Sequence, residues 1–401
     1  LGPLIAGGRG RRPGAGWAAL GVISNLALLV YSKYAAFGVA NLNVLLKWLA
    51  IDPVIVPEIP LPLGVSFIVF EKITYVVDIH RGIAPPARSL ADYLTYVFLF
   101  PKLLAGPIVK YHDIADQLVS PRHRYEDFRD GCTRFVVGLA KKVLLADTLA
   151  PVSDAAFATP LNSLDPSAAW LGLVCFNMQI YFDFSGYSDM AIGMGQMLGF
   201  RLRENFRDPY LSSSVTEFWR RWHISLSTWI KEYLYVPLGG NRVPTWRAYA
   251  NLCLCFLLSG LWHGASWTFV IWGCSHGVAL ILDRLFWLRW QQRLPAWLNV
   301  LATQFTIHFT WVFFRCGTLP HALGFLAALV GATGPDMNDV LVRPDILTTL
   351  AVALLVVVAP LIRPRLAPIP AVSLAFVLAL AILCTGRVTV NHFQPFLYFR
   401  F

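Results

Sequence analysis

Apolar positions along this chain gather in long runs, and polar or proline-rich stretches separate them. The first run is Trp17 to Phe37, with Lys33 near its end, where a long aliphatic stem lets the charge snorkel toward water. Residues 50 to 62 carry Pro53, Pro57, Pro60 and Pro62 and end the helix. Residues 61 to 79 are apolar but hold Glu71, Lys72 and Asp78. Glu71 and Lys72 are adjacent, so on a helix they do not face each other. A buried or re-entrant position suits this segment better than a lipid-facing one. Asp92 to Leu104 is short; at ~1.5 Å rise it reaches only about 20 Å, too little to cross a bilayer upright. Tyr111 to Arg129 is charged and proline-interrupted and belongs at the membrane surface. Gly131 to Ala150 is a spanning candidate despite Lys141 and Lys142. Ala168 to Leu198 is the longest candidate. Its second half carries Asp183, Ser185, Tyr187, Ser188 and Asp189, which lipid does not accept, so these groups are expected on a protein-lined cavity.

Residues 201 to 247 change character. Arg201, Arg203, Arg207, Arg220, Arg221, Lys231, Arg242 and Arg247 stand against Glu204, Asp208, Glu217 and Glu232, a marker of a cytoplasmic loop. Ser212, Ser213, Ser214 and Thr216 offer N-caps for a helix over about 217–230, whose Trp219, Trp222 and Trp229 suit an interfacial helix. Pro237 to Asn241 is a turn signal. Ala248 to Leu261 and Ala265 to Leu282 are apolar, with Trp262-His263-Gly264 between them. Arg284 to Arg293 is a basic loop. Leu298 to Phe314 is apolar, and His321 to Val330 is short and interfacial. Ile346 to Ile362 and Val372 to Cys384 close the series, and Tyr398 to Phe401 is expected to pack at an interface. The pattern predicts an all-α polytopic membrane protein with about eight spanning helices plus re-entrant and interfacial ones. No internal repeat supports an inverted-repeat transporter.

Composition agrees. Of 401 residues 56% are hydrophobic and only 14% charged, where soluble domains carry about a quarter charged residues. Long apolar runs, rather than alternating ~10-residue segments, exclude a β-barrel. The net charge of +10 reads as cytoplasmic loops rather than nucleic-acid affinity, because the basic residues are not gathered on one soluble domain. The seven cysteines are scattered, and Cys253-x-Cys255 has no zinc or redox spacing. Leu1 to Gly16 has no apolar core of a signal peptide and reads as a loop in a chain whose start lies upstream.

Neither a G-x-S-x-G nucleophile elbow nor an H-E-x-x-H zinc motif is present. Gly193-Met-Gly195-Gln-Met-Leu-Gly199 resembles a dinucleotide loop, but its last glycine falls one residue late, and small residues for helix packing explain it better. Among the nine histidines, His112, His123 and His321 sit in polar stretches, and His80 and His392 lie near membrane boundaries. A hydrogen bond to a neighbouring carbonyl accounts for His308, and His276 reads as structural. His263 stands apart, between two apolar runs and beside a glycine that permits close approach. Burial favours the neutral imidazole, the form a general base needs. The pattern alone is met by a catalytic or by a structural residue, and the same holds for His223.

Three stretches carry a resemblance: Glu217-Phe-Trp-Arg-Arg-Trp-His223-Ile-Ser-Leu-Ser227, Leu234-Tyr-Val-Pro-Leu-Gly-Gly-Asn241, and Ser259-Gly-Leu-Trp-His263-Gly-Ala-Ser-Trp267 followed by His276-Gly277. Together with Tyr181–Asp189, Phe100–Pro107, Phe313–Arg315 and Pro395–Phe401, the chain resembles the membrane-bound O-acyltransferase family, and within it the bacterial alginate O-acetyltransferase branch. Sister branches acetylate peptidoglycan or D-alanylate teichoic acid. The likeness covers nearly all of residues 1–401 as a single integral membrane domain; the family has further helices before the position of Leu1. It implies a ring of helices around a thinned centre, in a multi-pass protein of the bacterial inner membrane. It also implies that His263 is the family's invariant histidine and His223 its second functional one. Acetyl-CoA is implied as donor substrate, with no cofactor. The acceptor side belongs to an extracytoplasmic acetyltransferase or polysaccharide-export partner, and nucleic acid has no part.

On this reading His263 takes the proton of the acceptor hydroxyl, while His223, Trp219, Trp222 and Trp262 line the donor side. Arg220 and Arg221 meet the phosphates of coenzyme A or serve only to set topology. Asp183, Ser185, Tyr187 and Asp189 line the cavity and hold His263 in one tautomer. Two other classes remain open at this point. A transporter or channel would use residues 183–189 as a solute path and the histidines as proton relays, and a scaffold of a polysaccharide export complex would tolerate substitution of His263.

Overall fold

The computed structural model describes residues 14–57, 59–331, 343–362, 374–390 and 395–397. Arg9, Arg11, Arg12, His392, Tyr398 to Phe401 and the first residues of the run beginning at Val372 lie outside them. Every regular element among the described residues is helical. The chain forms two compact units, residues 1–129 with 194–203, and residues 130–193 with 204–401.

In the first unit, α1 (Ala15–Trp48) is a 34-residue helix, about 50 Å long at 1.5 Å per residue. Its buried positions are Ala18, Gly21, Asn25 and Leu29, a single narrow stripe. Ile23, Val30 and Leu45 remain exposed, as on a helix that faces lipid. Gly21 lets the stripe close on α2 (Val65–His80), since a Cβ there would lie 3.1 Å from Val76. Most of α2 is buried, including Glu71 and Asp78. The partner of Glu71 is not its neighbour Lys72 but Lys102, and both groups of that pair are almost wholly buried. Around them, α3 (Leu90–Phe98) brings the Tyr96 hydroxyl within 2.8 Å of Thr74 Oγ1 and 2.9 Å of the Val109 carbonyl. Polar groups in such a place must be satisfied by protein, which is why this stretch reads poorly as a lipid-facing helix. The piece expected over 92–104 is broken at Leu99, and a short 3₁₀ turn over Phe100–Lys102 that contains Pro101 follows α3. His112 lies on a helix, α4 (Tyr111–Val119), and pairs with Asp78 at 2.8 Å.

The second unit is built on α5 (Tyr125–Ala140), a π-helical stretch over Lys141–Ala146, α6 (Asp147–Ala158) and the 32-residue α7 (Pro166–Met197). The helices meet backbone to backbone through glycines. A Cβ on Gly186 would lie 2.6 Å from the Gly138 carbonyl, and one on Gly193 2.6 Å from the Gly131 carbonyl. Small residues at helix contacts are the usual means of close packing in membranes, and this is the role of Gly193 rather than any phosphate loop. The next pair, α8 (Val215–Arg221) and α9 (Ile224–Ile230), is short. A tight hairpin of α10 (Thr245–His263) and α11 (Trp267–Leu282) follows. It closes through Gly260 and Gly273, where Cβ atoms would lie 2.2 and 2.3 Å from facing carbonyl oxygens. Then come α12 (Ala296–Arg315), α13 (Leu319–Leu329), α14 (Pro344–Ile362) and α15 (Leu374–Val390).

Two expectations change here. A continuous interfacial helix over 217–230 does not form; it is broken at Trp222 and His223. Trp219, Trp222 and Trp229 are only 7, 3 and 7% exposed, so they are core residues of the second unit rather than an interfacial belt. Among the described residues, three segments are long and apolar enough to cross a membrane, Ala15–Trp48, Trp267–Arg293 and Pro344–Leu361.

The close approach at Gly186 is directly testable. Gly186→Val forces a branched side chain onto a backbone oxygen, an overpacking that costs about 1–3 kcal/mol or more. The variant is expected to melt earlier in detergent and to give less monodisperse protein on size-exclusion chromatography. Gly38→Val, at a position with nothing within 4 Å, is expected to behave as the parent.

Candidate active site

The break between α8 and α9 is built by identifiable residues. Ser214 caps α8, its hydroxyl accepting from the Glu217 N–H at 3.1 Å. The Glu217 carboxylate accepts from the Ser213 N–H and hydroxyl at 2.8 and 2.7 Å and pairs with Arg221 at 2.6 Å. Partial burial alone would raise the Glu217 pKa, but these bonds outweigh it and hold the group below its ordinary value. After Arg221 the backbone extends at Trp222 and turns left-handed at His223, where φ is +43°. Such a conformation in a histidine costs of order 1–3 kcal/mol and persists only when neighbours hold it.

Asn205 does the holding. Its backbone carbonyl accepts from the Ile224 N–H at 2.9 Å. Its side-chain oxygen accepts from the Ser225 N–H at 3.2 Å and the Ser225 hydroxyl at 2.9 Å, and its amide nitrogen donates to Ser188 Oγ at 3.0 Å. The Ser225 N–H requires an oxygen, which fixes the orientation of the amide. The same oxygen lies 3.1 Å from His223 Nδ1, so Nδ1 carries the proton and Nε2 presents its lone pair. Nε2 is buried and has no hydrogen-bond partner among the described residues. Complete burial pushes the His223 pKa down to about 3 and keeps the ring neutral. Phe184 packs edge-on against it at 4.7 Å.

His263 is the last residue of α10, and Gly264 continues in extended backbone. A Cβ at Gly264 would sit 2.1 Å from the Phe269 ring, so glycine is required by the packing of the hairpin turn. The imidazole is 7% exposed and is ringed by Trp262, Trp272 and Phe314 at 4.9, 5.1 and 5.2 Å. It opens on a cavity of about 20 Å³, also lined by Ile180, Asp183, Phe184, Trp222, Trp311, Phe314, Phe396 and Leu397. That volume suits about one water molecule.

The sequence candidates therefore divide. His263, Asp183 and Trp222 share the aromatic cavity. Asp183 is buried, pairs with Lys142 at 2.7 Å and accepts from the Leu397 N–H at 2.7 Å. Ser185 and Asp189 line a different, polar cavity of about 260 Å³ with Arg134, Lys141, Tyr181 and Asn205, so they do not orient His263 directly. Tyr187 packs on Phe396 at 5.0 Å. Trp262 lies between the two histidines, 4.9 Å from His263 and 6.3 Å from His223. Trp219 donates its indole N–H to His276 Nδ1 at 3.3 Å, and His276 Nε2 meets Thr310 Oγ1 at 3.0 Å. Both ring nitrogens of His276 are used, as a structural residue requires. His308 stacks edge-on against Tyr210 at 5.4 Å. Arg220 is exposed, Arg221 is tied to Glu217, and neither lines either cavity.

Sequence reasoning named none of Asn205, Trp311, Phe314, Phe396 and Leu397 as site residues, although Phe314, Phe396 and Leu397 lie in stretches that carry the family resemblance. Asn205 is 18 positions from His223 in a charged loop, with no local signal of its contacts. Its importance can be measured. Asn205→Ala removes the side-chain acceptor of the buried Ser225 N–H and hydroxyl, and losing a buried partner of this kind costs about 1–3 kcal/mol. The expected result is a lower melting temperature in detergent, whereas exposed Arg220→Ala leaves it unchanged.

Comparison with known proteins matches these residues to a family. The model of the membrane-bound O-acyltransferase family (MBOAT) aligns with residues 85–316, a stretch that includes both histidines and α7. The chain is 45% identical over 344 residues to the probable alginate O-acetylase AlgI of Azotobacter vinelandii, covering 85% of this chain and 68% of that protein. It is 41% identical over 426 residues to the protein of the same name from Pseudomonas putida, covering 99 and 86%. It is also 38% identical over 351 residues to the peptidoglycan O-acetyltransferase of Helicobacter pylori, covering 80 and 66%. With long apolar helices and a buried histidine at the head of an aromatic cavity, this chain belongs to the membrane-bound O-acyltransferase family and is an O-acyltransferase.

Proposed function

We propose that the chain moves an acetyl group from acetyl-CoA, arriving on the cytoplasmic side, to a hydroxyl beyond the inner membrane. By likeness to the alginate O-acetylases the acceptor is an extracytoplasmic polysaccharide, reached directly or through an extracytoplasmic partner protein. The protein is then multi-pass, with eight or more spans and no cofactor beyond its donor substrate. The observation that carries this reading is the His263 imidazole, opening on an aromatic cavity with a carboxylate, Asp183, in its wall.

The chemistry balances with the groups present. The His263 imidazole takes the proton of the acceptor hydroxyl as the oxygen attacks the thioester carbonyl. The carbon–sulfur bond breaks, the ester forms, and the departing thiolate takes the proton back from the imidazolium. Asp183 favours the imidazolium while it exists, and Lys142, paired with that carboxylate at 2.7 Å, limits the effect. The aromatic walls exclude water and so disfavour hydrolysis of the thioester. The neutral His223, held with Nε2 bare, serves the donor side, with Trp222 and Trp262 beside it. Arg220, which is exposed, and Arg221, which is paired with Glu217, either meet the phosphates of the donor or set topology, and topology is the simpler reading.

General-base help is worth about 10²–10⁴-fold. His263→Ala is expected to lose acetyl transfer by that factor in membrane vesicles, measured with labelled acetyl-CoA, while inserting at parental levels. Transfer at the parental rate would end the assignment. A transporter without chemistry would release no free CoA. His223 should stay neutral down to about pH 3, so an inflection in the rate between pH 5 and 8 belongs to another group. That inflection is expected to persist in His223→Gln, with a lower rate throughout; its disappearance would assign it to His223.

A further inference from the structure

The cavity beside His263 takes part of its wall from the far end of the chain. Leu397 donates its N–H to Asp183 at 2.7 Å, 214 positions away. Phe396 packs against Phe184 and Tyr187 at 5.7 and 5.0 Å. Both residues are 5% exposed and both line the cavity. The other walls are of a different kind. Trp222, Trp311 and Phe314 interlock with one another, with ring centres 5.2 and 5.1 Å apart along the series, and Trp311 also stacks on Trp272 at 5.8 Å. Ile180 and Phe184 project from the continuous helix α7. Shifting those walls means repacking the core. Among the described residues, the wall at 396–397 rests on the Leu397–Asp183 hydrogen bond and on the rings of Phe184 and Tyr187.

The lining also selects what can enter. Apart from His263 and Asp183 it is apolar, so a phosphate or a hydroxyl-rich sugar would lose its hydration there without replacement. The remaining part of the reactants is the acyl chain of the donor. A volume of about 20 Å³ is enough for a group the size of a water molecule or a methyl.

We propose that Phe396 and Leu397 form the stop that limits the acyl donor to a two-carbon group, an inference that rests on the reading of His263 as the residue meeting the thioester. The methyl of the acetyl group points at the 396–397 wall, and each further methylene must displace it. Pockets of this kind discriminate one methylene by about 10–200-fold.

The test uses inverted membrane vesicles that carry the full chain and its native partners, supplied in turn with labelled acetyl-, propionyl- and butyryl-CoA. Transfer and free CoA are both followed, and the butyryl-to-acetyl ratio is read within each variant, so differences in total activity cancel. The parent is expected to favour acetyl over butyryl by about 10²-fold or more. Phe396→Ala and Leu397→Ala are each expected to raise the butyryl-to-acetyl ratio at least ~10-fold. Phe396→Leu, a milder change that keeps an apolar wall, should fall between and serves where an alanine variant does not accumulate. An unchanged ratio in these variants, or a parent that uses butyryl-CoA as well as acetyl-CoA, overturns the inference while leaving the acyltransfer reading intact. A parent that consumes none of the three donors overturns both.

Discussion

The approach of α7 to α5 is the constraint on which the second unit depends. At Gly138 and Gly186 the two backbones come so close that neither position has room for a side chain. That distance sets the reach of the charged groups on either side of it. Asp183, one turn before Gly186, meets Lys142 at 2.7 Å, and Asp189, one turn after, meets Arg134 at 2.8 Å and Lys141 at 2.6 Å. Lys141 and Lys142 are successive residues, yet they serve carboxylates on different turns of α7. The π-helical stretch that begins at Lys141 alters the normal helical rotation there, and such local widening is frequent at functional sites.

The same helix separates two environments. One face of α7 bears Ile180, Asp183 and Phe184 toward the aromatic cavity of His263, and another bears Ser185, Ser188 and Asp189 toward a larger polar cavity. Asn205 belongs to the polar side and holds the backbone of His223 in place; Phe184 belongs to the aromatic side and packs on the His223 ring. His223 thus sits behind the two cavities rather than in either, with its ring orientation set from one and its packing from the other. The strained turn at this residue is held by the backbone carbonyl and the side chain of a single residue, Asn205, which contacts the His223 ring directly as well as the residues that follow it.

Electrostatics and packing act together in the hairpin of α10 and α11. Close contact through Gly260 and Gly273 aligns the end of α10 with the rings of Trp272 and Phe314, and those rings enclose His263. The neighbouring glycine is necessary because the Phe269 ring occupies the space a side chain would need.

Several features follow from the residues in order along the chain. Long apolar runs with few charges require helices in a membrane, because only intrachain hydrogen bonds satisfy the backbone there. Asp183 and Asp189 in the polar half of an otherwise apolar helix require a protein-lined face, and His263 between two apolar runs requires a protected site. Those inferences need only composition and spacing. The break at His223, the clamp by Asn205 and the burial of Trp219, Trp222 and Trp229 were not legible, because amphipathic tryptophans fit a membrane interface and a packed core equally well. Nor does spacing say that Ser185 and Asp189 turn away from His263 while Phe396 and Leu397 reach it. A sequence specifies which residues must leave lipid; which of them meet depends on how closely helices pack, and that distance is decided by contacts between positions far apart in the chain.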